Sequence, residues 1–136
     1  MSWLKPFIAA LAIALTPAAL AQGIVCPPPE KPMLRAELYF GRDTGGTYGV
    51  SERQWADFLA RELTPRFPDG LTVLDGQGQW RDDRGATVRE PSKVVIIVVP
   101  DAGPARSRIQ AAVDAYKQRF RQKSVLVLTR PVCASF

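Results

Sequence analysis

From Leu34 to Arg42 apolar and polar side chains alternate: Ala36, Leu38 and Phe40 fall on one side, Glu37 and Tyr39 on the other. A period of two is that of a half-buried strand. Asp43-Thr44-Gly45-Gly46-Thr47 reads as a flexible loop, and after it the period changes. Trp55, Phe58, Leu59 and Leu63 recur at helical spacing. Ser51 stands at the N-cap, Gln54 three residues on completes a capping box, and Val50 and Trp55 are spaced for a hydrophobic staple. Thr64-Pro65 is expected to end the helix, because a residue before proline avoids helical geometry.

Phe67-Pro68-Asp69-Gly70 is a turn, and Leu71 to Asp75 is a short strand. Gly76 to Arg81 is expected to continue it with bulges. Asp82-Asp83-Arg84-Gly85 is a hairpin turn in which Gly85 can take positive φ. The chain returns through Thr87 to Glu90, Pro91 is expected to interrupt the ladder, and Lys93 to Val99 is a strongly apolar strand. Pro104 is placed for the first turn of a second helix with the buried stripe Ile109, Ala112, Val113, Tyr116 and Phe120. Lys117, Arg119, Arg121 and Lys123 gather at its C-terminal end, where the helix dipole favours cations. Ser124 to Arg130 is the last strand.

The order β-α-β-β-α-β predicts an α+β, ferredoxin-like two-layer sandwich with a four-stranded antiparallel sheet. Its strand order, 4-1-3-2, sets the first strand beside the last. Val94 to Val99 and Val125 to Leu128 are apolar on both faces, so the face without helices is expected to be covered as well. Either the proline-rich lead-in covers it or a second copy does, as a homodimer through the sheet face.

The first 21 residues change the picture of compartment. Lys5 is their only charge, Phe7 to Leu15 is apolar, Pro17 ends the run, and Ala19-Leu20-Ala21 precedes Gln22. The run is too short for a bilayer, which takes roughly 20 apolar residues. It reads as a signal peptide, 1–21, followed by a proline-rich lead-in, 22–33, and one domain, 34–136. An uncleaved anchor or a lipid on Cys26 is the alternative. No later stretch suggests stable membrane insertion, and a periplasmic or secreted location follows. There two cysteines are free to pair. Cys26 precedes the first strand and Cys133 follows the last, so the strand order brings them together, and a structural disulfide is expected. A redox-active pair ordinarily has closer spacing.

Charge adds little. The chain has 18 basic and 13 acidic residues, or 17 against 13 without Lys5, scattered along its length. The absence of histidine removes Ser-His and Cys-His nucleophiles and the commonest metal ligand. Neither a metal nor a cofactor is expected. Nor is nucleic-acid binding, since the sheet carries no aromatic RNA-binding signature. The chemistry worth weighing is polar and aromatic. Tyr39 and Trp80 can stack on a ligand while Gln79, Arg81 or Lys93 fixes a carboxylate. In the alternative, Trp80 packs the hairpin onto the body and the charges form surface pairs. Arg66 either caps the first helix or joins a site.

The run from Thr64 to Trp80, with Glu37-Leu38-Tyr39-Phe40-Gly41, Glu90-Pro91-Ser92-Lys93-Val94 and Ala115-Tyr116-Lys117, resembles a bacterial family of small exported proteins known as a domain of unknown function. The resemblance spans nearly all of the chain after the leader and implies no catalytic residues. The expected role is a non-catalytic envelope domain binding a small ligand or a protein, its ligand unknown. The alternative is a metal-independent enzyme resembling dimeric α+β barrel proteins, with Tyr39, Trp80 and Arg81 lining a cavity between helices and sheet.

Overall fold

The computed structural model describes residues 23–43, 49–101 and 103–136. The leader, 1–21, and most of the loop after Arg42 lie outside the described residues.

The strands are β1 (Lys31–Gly41), β2 (Thr72–Arg81), β3 (Thr87–Val99) and β4 (Leu126–Ala134). They form one antiparallel sheet in the order β2-β3-β1-β4. That is the ferredoxin-like arrangement the element order predicts. Helix α1 (Glu52–Phe58) runs through a π-helical stretch (Leu59–Leu63) into a last turn, α2 (Thr64–Arg66). Helix α3 (Ala105–Phe120) lies between β3 and β4 in the chain.

The alternation in β1 places Leu34, Ala36, Leu38 and Phe40 in the core, where each is fully buried. Val95, Ile97 and Val99 of β3 join them. The helices close this face with Trp55, Phe58, Leu63, Ile109, Ala112, Val113, Tyr116 and Phe120. Five aromatic rings interlock at its centre. Phe40 and Tyr116 lie 4.7 Å apart, Phe58 and Tyr116 5.0 Å, and Phe40 and Trp55 5.3 Å. Tilted and edge-on pairs of this kind each add about 0.5–1.5 kcal/mol beyond area burial.

The Ser51 cap forms as expected: its Oγ accepts from the Gln54 N–H at 3.2 Å, and Gln54 Oε1 accepts from the Ser51 N–H at 2.9 Å. Val50 and Trp55, the staple pair, are both buried. Pro65 does not end the helix at Thr64. The Thr64 N–H reaches back to the Leu59 carbonyl, a wider turn than α, and one further turn carries the chain to Arg66. The π-helical step loosens the backbone just before the residue that lacks an N–H, so proline is absorbed. Arg66 then caps the end, its Nη1 donating to the Glu62 carbonyl and carboxylate, both at 2.6 Å.

The β2–β3 hairpin also differs from expectation. Its register runs unbroken from Thr72 opposite Ile96 to Arg81 opposite Thr87, without a bulge. Pro91 sits inside β3 and does not break it. The Pro91 carbonyl accepts from the Arg42 N–H at 3.0 Å, so the backbone of residue 91 faces the β1 side. The β1 ladder ends at Gly41 opposite Ser92, so the missing N–H falls just beyond the last rung and costs no ladder bond. The turn closes on Asp82, whose Oδ1 accepts from the N–H groups of Arg84 and Ala86, with Gly85 at φ 81°.

β1 and β4 extend beyond the predicted ends, pairing from Lys31 opposite Ala134. Cys26 and Cys133 form the disulfide, with Cα atoms 5.5 Å apart. The described lead-in does not cover the open sheet face. Leu74, Trp80, Leu126 and Leu128 remain 47–55% exposed there. No helix among the described residues is long and apolar enough to cross a membrane.

Candidate functional site

The register fixes what shares the open face. Across the four strands one row holds Leu74, Val94, Tyr39 and Leu126. The next row toward the hairpin tip holds Gly76, Ser92 and Gly41, and the row after it Gly78 and Glu90. Trp80 opposite Val88 closes the series. Rows of bulky side chains thus flank two rows built largely of glycine, and the face sinks between them.

The result is a trough of about 560 Å³. Its lining includes Tyr39 and Leu126 at one end, Trp80 and Gln79 at the other, and Gly41, Gly78, Glu90 and Ser92 in the floor. The stretch after α3, from Arg121 to Ser124, forms a rim. Arg121 caps α3 in the left-handed region, at φ 52°, and so turns the chain across the sheet end. Gln122 pins this rim: its Nε2 donates to the Asp43 carbonyl at 2.5 Å.

Two glycines of these rows, Gly41 and Gly76, lie close under side chains from the neighbouring strand. A Cβ on Gly41 would lie 2.8 Å from Glu90 Oε1, and one on Gly76 would lie 2.8 Å from Ser92 Oγ. The Glu90 carboxylate therefore occupies the space that a side chain at residue 41 would need. It accepts from the Asp43 N–H at 2.9 Å. Beneath the floor, the buried Tyr116 hydroxyl donates to the Gly41 carbonyl at 2.8 Å. Along β1, Tyr39 donates to Glu37 at 2.9 Å and Arg35 donates to the same carboxylate at 3.0 Å. The Tyr39 bond, and behind it Arg35, hold the Glu37 carboxyl below its ordinary range, while the bond to Glu37 raises the Tyr39 phenol.

Of the residues singled out in the sequence, Tyr39, Gln79 and Trp80 line the trough, and Arg81 and Lys93 do not. Arg81 follows Trp80 and takes the opposite side of β2, exposed to solvent. Lys93 is buried on the helix side, paired to Asp75 and, at 2.9 Å, to Glu52, which Arg42 also holds. It fastens α1 to the hairpin. Nor do Tyr39 and Trp80 line a cavity between helices and sheet, where the aromatic core sits instead. Ser92, Gly41 and the Arg121–Ser124 rim were not among the sequence candidates. The glycines at alternate positions 76 and 78, in phase with Trp80, were the signal that could have found the floor. No group of three or more acidic or thiol side chains gathers to hold a metal among the described residues.

The chain belongs to the family described as "Protein of unknown function (DUF3574)", whose model matches residues 35–136. No curated protein matches it. Among solved structures it is similar to a phage SAM lyase in complex with S-methyl-5'-thioadenosine, with a TM-score of 0.56 and 20% identity over 76% of this chain and 90% of that one. It is also similar to CutA from Synechococcus elongatus complexed with a Bis-Tris molecule, with a TM-score of 0.51 and 13% identity over 78% of this chain and 87% of that one. Likeness at such identities concerns the fold alone.

Proposed function

We propose that this member of the family is an exported domain of the bacterial envelope, periplasmic or secreted, that binds a small ligand in the open-face trough without transforming it. In this reading residues 1–21 serve export, the lead-in 22–33 carries the Cys26 half of the disulfide, and the domain 34–136 binds. The disulfide fits an oxidising compartment. The observation that carries the binding reading is the trough itself, a concavity with aromatic ends and polar groups converging in a glycine floor. The four large apolar side chains on the same face support a homodimer through it.

The test is a ligand screen by thermal shift on the oxidised protein, repeated with Trp80→Ala. Trp80 is half exposed, so the variant keeps the core intact. Hits that disappear in Trp80→Ala place binding in the trough. Hits that persist equally, or a screen without hits, count against it.

A further inference from the structure

Glu90 in the trough and the cations Arg121 and Lys123 on its rim do not neutralise one another. Glu90 makes no ion pair among the described residues; its carboxylate takes only the Asp43 N–H. Arg121 and Lys123 on the rim likewise make none. Several carboxylates elsewhere do meet cations: Glu37 meets Arg35, Glu52 and Asp75 meet Lys93, Asp57 meets Arg61 and Arg119, and Glu62 meets Arg66. The lining thus carries the carboxylates Glu90 and Asp43 and the cations Arg121 and Lys123, and Glu90 pairs with neither cation.

This separation is built into the backbone. The Glu90 carboxylate occupies space that a side chain at residue 41 would contest, and the Asp43 N–H holds it there. The rim is held in place by Gln122 bonding to the Asp43 carbonyl, one residue from the N–H that holds Glu90. The left-handed Arg121 sets the direction of the rim. One end of the space is apolar, with Leu126 beside Tyr39, and the other ends on the Trp80 indole.

We infer that the trough takes a small zwitterion, its ammonium group against Glu90 and its carboxylate or other anionic group toward Lys123 and Arg121, with the linking carbons along the apolar wall. This rests on the trough being the binding site. An ammonium beside an unpaired carboxylate makes a charge-assisted hydrogen bond, and a nearby aromatic face adds cation–π attraction. A simple amine leaves the rim cations unanswered, and a simple acid leaves Glu90 unanswered.

The probes are ω-amino acids of two to six carbons between the charges, compared with the matching alkylamines and carboxylic acids in thermal shift and calorimetric titration of the full chain. One spacing among the amino acids is expected to bind at least tenfold more tightly than either singly charged partner. Glu90→Gln is expected to remove this preference, and Lys123→Ala to weaken it about tenfold. Gly41→Ala, which displaces the Glu90 carboxylate, is expected to abolish it. Glu90→Gln keeps the side chain's shape, so circular dichroism should match the parent protein. Equal binding of the amine or the acid alone, undiminished binding by Glu90→Gln, or no binding by any amino acid overturns the inference. Uncharged hits lost in Trp80→Ala would leave the trough standing as the site while removing the zwitterion.

Discussion

Tyr116 links the core to the trough, and its hydroxyl is the kind of group whose loss is felt twice. Burial raises its pKa well above the ordinary phenol value, so it stays a donor throughout the usual pH range. Tyr116→Phe leaves the Gly41 carbonyl without that partner and is expected to cost about 1–2 kcal/mol in urea unfolding. Lys93 gives a prediction in pH. Hydrogen bonds from Lys93 hold Asp75 and Glu52 below their ordinary values of 3.8 and 4.5. Their contribution is therefore present above about pH 4.5 and lost as pH falls through the lowered values. Asp75 and Glu52 in turn raise Lys93 above 10.5, so its share is complete below that pH and lost as pH climbs through the raised value. In Lys93→Met the fall in urea midpoint between pH 7 and pH 3 is expected to be shallower than in the parent. An identical fall would sink this account. The residue scale is also where sequence reading stopped short. Val94 to Val99 are apolar at every position, so nothing in that run told which side Lys93 takes. Trp80 and Arg81 are neighbours in a strand, by contrast, and a period of two already sends their side chains to opposite faces of the sheet.

At the level of elements, the first helix was legible because its signals are local: a cap, a box and a staple pair within six residues, the cap and box formed and the staple pair buried. Ser51→Ala removes the side-chain acceptor and is expected to cost about 1 kcal/mol, a drop of about 4–8 °C in Tm by differential scanning calorimetry. The two prolines were misread for one shared reason. Proline removes a donor, but the damage depends on where that donor would have pointed. In β3 the Pro91 nitrogen faces a side where the neighbouring strand has already ended. In the first helix a π-helical step takes up the change before Pro65. Neither fact lies in the local sequence, since both depend on the strand or turn that happens to be adjacent. The expected bulges in β2 failed similarly: the glycines at 76 and 78 answer to Ser92 and Glu90 across the ladder, and the ladder itself stays regular.

For the molecule as a whole, strand order was legible from element order, and with it the disulfide, because a β-α-β-β-α-β chain has few ways to pack. Closing a loop of 107 residues is worth roughly 4–5 kcal/mol in the chain-entropy model, so Cys26→Ser is expected to lower unfolding stability by up to about that amount in urea. The open face yields a second global prediction. Light scattering at micromolar concentration is expected to give a dimer, and Leu128→Glu, altering a half-exposed position, a folded monomer. A strict monomer in the parent protein removes the dimer. The disulfide has one more consequence, and it concerns orientation. It sits where Pro32 faces Cys133, whereas the trough lies toward Gly41, nine residues and about 30 Å farther along the strand. The described chain enters, at Cys26, and leaves, after Cys133, at the stapled end of the sheet. A surface, bead or fusion partner attached at that end would sit at the far end of the strands from the trough and leave its rim clear.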